Sequence, residues 1–287
     1  MIRCLVDPIL AALLACGLGS GVAQSSSPPP NAPLPNPTEL LERALANEHE
    51  LAAERERYEC RVTDNVLETD SRGNTKKNTT EVKDQFFVNG IAIERTLQKN
   101  GQDLTAEETK KEDERVMKET LKYNDQATAT KEQDKQHQNV EDIMEAMMLV
   151  NGRRERVEGR SVLFYDIVPN PRFAAKNLIQ RMAEVMQGKI SMDEQTGRLI
   201  DLDVKSVADL KVGGGLLADL HKGFWLHVHN HSEPDGVWLN DLAEGSGDAR
   251  EALFLHPYFR FKEVTDNCRL YSATAVQVGP VRPVKKP

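Results

Sequence analysis

Apolar and polar side chains alternate with a period of two along several stretches of this chain, and elsewhere they recur every three to four residues. Thr38 stands at the head of a helical stripe that runs to about Arg57, with Leu40, Leu41, Ala44, Leu45 and Leu51 on one side. At Tyr58 the period changes. Tyr58, Cys60 and Val62 point one way while Glu59, Arg61 and Thr63 point the other, as in a half-buried strand. After a turn at Asp70–Asn74, a second strand is predicted over Thr80–Val88 and a third over Ile91–Gln98. Asn89-Gly90 joins those two, and Asn100-Gly101 closes the third. Such dipeptides suit two-residue hairpin turns, which need positive φ at both central positions.

The next stretch differs. Thr105-Ala106-Glu107-Glu108 has the form of a capping box, and Leu104–Gln138 is densely charged, with Val116, Met117 and Leu121 as its few apolar anchors. It predicts a water-facing helix over or beside a sheet, fraying around Asn124–Thr130. Asn139–Val150 predicts an amphipathic helix with Ile143, Met147 and Met148 on packed faces. Arg160–Val168 is apolar on both faces and reads as a central strand, stopped by Pro169-Asn170-Pro171. A helix over Phe173–Gln187 follows. Strands are then predicted at Gly188–Asp193, Arg198–Val204, Phe224–His231, Val237–Leu242, Leu253–Glu263 and Arg269–Gln277. Antiparallel meanders with helices before and between them give an α+β fold class. It consists of one curved sheet.

The two ends carry no fold pattern. Residues 1–23 have a short positive start at Arg3 and an apolar run, Pro8–Cys16, of the length of a secretory signal and too short to span a bilayer. Gly21-Val22-Ala23 has the small residues that signal peptidase needs. Leu13-Leu14-Ala15-Cys16-Gly17 offers the alternative of a lipobox, with lipidation at Cys16 and an outer-membrane lipoprotein as the outcome. Residues 24–37 form a Pro/Ser-rich linker and 278–287 a basic, Pro-rich tail, which leaves 38–277 as the domain, with a charged helical insertion at 105–138. The expected outcome is export. Of four cysteines, Cys60 and Cys268 remain after cleavage, either as one disulfide or as two buried thiols.

Composition narrows the partners. The chain has 287 residues, 37 Lys and Arg against 45 Asp and Glu, and a formal net charge of -8, unsuited to nucleic-acid backbones. No stretch after the signal is apolar enough for a transmembrane span in the mature chain.

Candidate chemistry is sparse. His227-Val228-His229-Asn230-His231 places three imidazoles on one strand face, with His221 before them and Glu233 and Asp235 after. Three alternate positions span about 13–14 Å, so one zinc ion takes at most two of them. His227 and His229 are the candidate metal ligands, with others to come from His256, Glu233 or Asp235. In the other reading these histidines simply fill the polar face opposite Phe224, Leu226 and Val228, where they titrate near neutrality. The mature chain has no Gly-x-Ser-x-Gly elbow, Walker loop or Cys-x-x-Cys. Gly213-Gly214-Gly215 reads as a turn or bulge, and Asp201 and Asp203 mark a solvent face. No catalytic residue and no cofactor is expected. Aromatic residues are 5% of the chain, yet Phe164, Tyr165, Phe224, Trp225, Trp238 and Phe261 fall on strands, where they either line an apolar concavity or fill a core.

The order of parts resembles the LolA/LolB-like bacterial periplasmic lipoprotein-carrier superfamily. The resemblance runs through Tyr58-Glu59-Cys60-Arg61-Val62 after a helix and Asn100-Gly101-Gln102-Asp103-Leu104-Thr105 before a charged helix. It continues in Gly159-Arg160-Ser161-Val162-Leu163-Phe164, in Gly188-Lys189-Ile190-Ser191-Met192-Asp193 through Gly197-Arg198-Leu199, and in Asp235-Gly236-Val237-Trp238-Leu239. The charged stretch 106–138 departs from the compact carriers. The resemblance implies a strongly curved antiparallel sheet of about 9–11 strands, an unclosed half-barrel with helices covering its concave face, and a non-enzymatic periplasmic carrier of a lipophilic ligand, either an acyl chain or a lipoprotein. A ligand-free envelope scaffold with a protein partner is the alternative reading, and a metal-binding protein using the His227–His231 strand a third.

Overall fold

The computed structural model describes residues 32–46, 54–70, 72–212, 218–251 and 258–270. The signal and lipobox around Cys16, most of the Pro/Ser-rich linker, Gly213–Gly215, His256 and the tail lie outside the described residues.

The chain enters through α1 (Pro37–Ala46) and three strands, β1 (Tyr58–Thr69), β2 (Thr75–Val88) and β3 (Ile91–Lys99), followed by the short β4 (Gln102–Asp103). Both Asn-Gly turns form as expected. Asn89 and Gly90 have φ of 46° and 74°, and Asn100 and Gly101 have 52° and 75°, which Asn tolerates and Gly adopts freely. Two long helices come next, α2 (Ala106–Asn124) and α3 (Gln126–Ala146), then β5 (Met147–Val157), β6 (Arg160–Pro169), the short α4 (Leu178–Ala183), β7 (Met186–Asp193) and β8 (Leu199–Ser206). After β9 (Leu210–Val212) and β10 (Ala218–Leu220), the chain ends in β11 (Trp225–Ser232), β12 (Trp238–Glu251) and β13 (Tyr258–Leu270).

The strands form one antiparallel sheet in the order β4-β3-β2-β1-β13-β12-β11-β8-β7-β6-β5, with β9 and β10 attached beside β12. The sheet does not close on itself. It is the α+β architecture that the alternation predicts, and its order sets the first long strand beside the last. Helices cover one face, called here the inner face. Met182 of α4 packs there in the main core with Ile167, Leu202, Leu226 and Val228, while Leu40 of α1 meets Leu163, Tyr165 and Met192. Arg154 of β5 fixes the entering chain by donating to the carbonyls of Ala32 (2.6 Å) and Pro33 (3.1 Å).

Several elements differ from the sequence pattern. The helix expected over Asn139–Val150 stops at Ala146, because the apolar run Met147–Val150 pairs with β6, Leu149 opposite Ile167. Met147 and Leu149 reach the core and Met148 faces out, 37% exposed. The helix expected over Phe173–Gln187 shrinks to α4, capped by Asn177 Oδ1 on the Gln180 amide (2.9 Å) and followed at once by Met186, which pairs with Ser206. The charged stretch does not fray around Asn124–Thr130. Asp125 both ends α2 and caps α3, accepting from the Thr128 amide at 2.9 Å. The last two expected strands are, among the described residues, the single β13.

Candidate functional site

The inner face falls into two halves. From β6 to β13 it is mostly apolar, with Glu263 of β13 belonging to the charged half. Leu226 and Val228 of β11, Ala243 of β12 and Phe259 and Phe261 of β13 are all buried, and the two phenylalanine rings stack with centroids 6.5 Å apart. Gly245 of β12 leaves room for one of them, since a Cβ there would sit 2.8 Å from a Phe261 ring carbon.

Over β1, β2 and β3 the same face becomes charged. The alternation that turns Tyr58, Cys60 and Val62 inward carries on to Asp64, which stands opposite Glu263 of β13 and Glu81 of β2, while Val62 stands opposite Lys83. Lys83 is 1% exposed. Its ammonium donates to Asp64 Oδ2 and, at 2.8 Å, to Glu94 Oε2 of β3. A buried lysine needs such partners, because an uncompensated charge inside a protein is strongly destabilising. Three carboxyl groups therefore surround one cation. Burial first, and then the Asp64 and Glu94 carboxylates, push the Glu263 carboxyl up to about 8. A hydrogen bond with Asp64 acts in the same direction. Sequence reasoning passed over this cluster, although the signal was present as a charged residue on the apolar side of β1.

The charged helix α2 lies along the edge of β3. There the Glu112 carboxylate accepts from the Thr96 amide at 2.7 Å and the Arg115 guanidinium donates to the Glu94 carbonyl. These backbone groups point away from β2, so α2 takes the place of a further strand and covers an edge. Arg95 reaches Asp113 at 2.6 Å. Hydrogen bonds with Arg115 outweigh burial and hold Glu112 down at about 2. None of the 19 residues of α2 is buried. The connection to α3 is tied to the β2–β3 turn, where Asn89 Nδ2 donates to the Tyr123 carbonyl (2.8 Å) and Gln133 Nε2 to the Asn89 carbonyl (2.9 Å). The far end of α3 is pinned to α4 through Asp142, which accepts from Asn177 and Gln180, both at 2.8 Å. The helix pair thus runs from β3, at one end of the open sheet, to β5 at the other.

The candidate metal ligands are on the opposite face, and each faces a carboxylate of its own. His227 Nδ1 is 3.0 Å from Asp203 Oδ1, His229 Nδ1 is 2.6 Å from Asp201 Oδ1, and His231 Nε2 is 3.1 Å from Glu233 Oε1. The bond to Asp201 raises the His229 imidazole above its usual value. Burial acts to raise Asp201 in turn, but the bonds from His229 and Ser191 prevail and hold it low. Asp235, the other candidate, instead accepts from the Tyr58 hydroxyl at 2.8 Å. Among the described residues, no group of three or more His, Cys, Asp or Glu side chains is arranged to hold a metal ion. Cys60 and Cys268 meet across the irregular end of the β1–β13 ladder, Cα atoms 4.0 Å apart, and are bonded there as a disulfide.

Among the described residues, no helix is long and apolar enough to cross a membrane. No family model matches the chain, and no curated protein matches it. A DUF1329 family protein from Desulfovibrio piger ATCC 29098 is similar at 12% identity over 77% of this chain and 91% of its own, with a TM-score of 0.29. MucB, solved in complex with MucA(peri), is similar at 10% identity over 83% of this chain and all of its own, with a TM-score of 0.23. At these scores neither likeness bears on the fold or on function, and the α+β architecture rests on the sheet itself, antiparallel, unclosed and covered by helices.

Proposed function

We propose that this chain is an exported, non-enzymatic binding protein that carries a lipophilic ligand, an acyl chain or a lipoprotein, against the inner face of its sheet beneath a movable helical cover. One observation supports it above others: α2 is docked on the sheet without burying a single side chain. A helix seated through an apolar stripe is released only by exposing that stripe to water, at about 25 cal/mol for each Å². The contacts of α2 include ion pairs and hydrogen bonds at a wet boundary, beside the half-buried Val116 and Tyr123. The Arg95–Asp113 pair, with side chains 44% and 49% exposed, is of a kind worth about 0–1 kcal/mol. The cover therefore opens cheaply, and the apolar half of the inner face offers an acyl chain a matching surface.

Native and denaturing mass spectra of the full chain, exported to a bacterial periplasm and purified without detergent, test this reading. A non-covalent adduct of lipid mass, lost on denaturation, is expected. No adduct, even after fatty acids and lipopeptides are offered, overturns it. One observation favours a second reading, an envelope protein partner. Met117 and Leu121 lie one turn apart on the outward side of α2, 61% and 66% exposed. If they form a contact surface, Met117→Lys with Leu121→Lys removes partner binding and leaves any lipid adduct intact.

A further inference from the structure

Every residue from Ala32 to Pro37 (Ala-Pro-Leu-Pro-Asn-Pro) is either a proline or the residue before one. Proline fixes its own φ and confines its predecessor to extended conformations, so this stretch has little backbone freedom to lose on docking. An extended chain of this kind makes no internal hydrogen bonds, which leaves its carbonyls open to a partner. What meets them is a built donor. The Arg154 side chain of β5, 6% exposed, is held by the Glu194 carboxylate through Nε at 2.7 Å. Its two terminal nitrogens reach the carbonyls of Ala32 and Pro33. Glu194 is fixed in turn by the Ser161 hydroxyl at 2.6 Å. Beside this fork Gly152 leaves room for Leu34, since a Cβ there would lie 2.9 Å from Leu34 Cδ1 and 2.5 Å from a Tyr165 ring carbon. Asn36 ends the segment, its side chain and its carbonyl accepting from the Thr38 and Leu40 amides of α1, both at 3.0 Å.

We propose that Gly152, Arg154, Tyr165 and Glu194 form a recognition site for an extended peptide with proline at alternate positions. The chain's own Ala32–Pro35 fills it as a stand-in, which a partner's segment of the same kind displaces. Two features point beyond the resident segment. It is held lightly, by two hydrogen bonds and a leucine that stays 38% exposed. Tyr165, 4% exposed, also keeps its hydroxyl buried without a hydrogen-bond partner among the described residues. That hydroxyl feels the charges of Glu194 and Arg154, which places it at the same seat. Burial, and then the Glu194 carboxylate, raise it above its usual value, so it stands ready as a donor that the resident segment leaves unused. A carbonyl of an incoming segment satisfies it. The arginine reads main chain, so the ligand is chosen by backbone geometry and by one apolar side chain at the Leu34 position. Neither α2 nor an acyl chain takes part, and a missing lipid adduct leaves this site untouched.

A fluorescent peptide of residues 32–37, titrated into the full chain exported to a bacterial periplasm and followed by anisotropy, tests the site. Wild type should bind it weakly, because its own segment competes at an effective concentration of roughly millimolar. Pro33→Gly with Leu34→Gly and Pro35→Gly removes the anchor and the restricted backbone of the resident segment. The emptied variant should bind the peptide at least about tenfold more tightly than wild type does. In that background Arg154→Lys keeps a charge beside Glu194 but puts a point charge where the fork stood, and should weaken the peptide about tenfold. The peptide with Asp in place of its leucine should not bind, a control that needs no further change to the protein. Three results overturn the proposal: no binding to the emptied variant at about 1 mM peptide, binding as tight to wild type, or binding indifferent to the leucine. Binding that survives Arg154→Lys in a folded variant overturns it as well.

Discussion

The two halves of the inner face are built from the same strand alternation and differ in what the inward positions hold. From β6 to β13 those positions carry Ile167, Leu202, Leu226, Val228, Phe259 and Phe261, and the burial of each is favourable alone. From β1 to β3 they carry Asp64, Lys83 and Glu94, whose burial is tolerable only together. The first half is insensitive to pH and loses stability in proportion to the volume removed. The second depends on a count of protons, and removing one member leaves the others uncompensated. It is along the edge of this second half that α2 lies.

Lys83→Met should give the largest effect, because it keeps the bulk and removes the buried cation that Asp64 and Glu94 share. A loss of about 3–5 kcal/mol is expected at pH 8, measured by chemical denaturation. At pH 5, where the raised Glu263 carboxyl carries its proton and makes no demand on the cation, the loss should be smaller. A loss of equal size at both values would erase the distinction between the halves. Leu226→Ala is its counterpart. Leu226 is 1% exposed, so its truncation should destabilise by about 3 kcal/mol, and by the same amount at pH 5 and pH 8.

Legibility in the sequence follows the same division. The apolar half shows in the alternation of Phe224, Leu226 and Val228 against His227 and His229, and β11 keeps that pattern. Asn89-Gly90 and Asn100-Gly101 give their turns away, since their backbone requirement is local. Of the charged corner only Asp64 was legible, as a charged residue on the apolar side of β1. Glu94 reaches it through the β1–β2–β3 meander, but Glu263 comes to it only through the pairing of β1 with β13, a contact distant in sequence that no local period reports. Met147–Val150 failed for a related reason: four apolar residues fit either period, and the neighbour β6 decides between them. Of the site residues, His227 and His229 lie on the polar face that the alternation indicates. What the alternation could not reveal is that Asp201 and Asp203 stand directly across from them on β8.

Glu263→Gln sharpens the comparison by removing a proton from the charged half without removing volume. The folded value of about 8 lies above the ordinary 4.5, so between those values the folded chain holds a proton that the unfolded chain has released. Stability from this group is thus complete below about 4.5 and falls as pH rises to about 8. Wild type should lose roughly 2 kcal/mol between pH 6 and pH 8.5 from this source, a figure reduced from the full shift for water reaching a partly exposed group. The variant should show a flatter curve and be the more stable protein at pH 8.5. A variant that tracks wild type across the whole range would mean that Glu263 is ionised at neutrality.

The smallest effect belongs to the opposite face, where His229 and Asp201 also form a charged pair, with both side chains more than a third exposed. Here the sign is the same and the size is not. The folded imidazole is raised above 6.5, so its contribution is complete below that value and is lost as pH rises through the folded one. His229→Gln should therefore cost under about 1 kcal/mol at pH 6 and nothing measurable at pH 9. Salt separates the two cases. Sodium chloride at about 1 M shortens the screening length to about 3 Å, which should abolish the effect of His229→Gln while leaving that of Glu263→Gln nearly intact. Equal sensitivity to salt would place Glu263 in water, and the charged corner would then be a second solvated face.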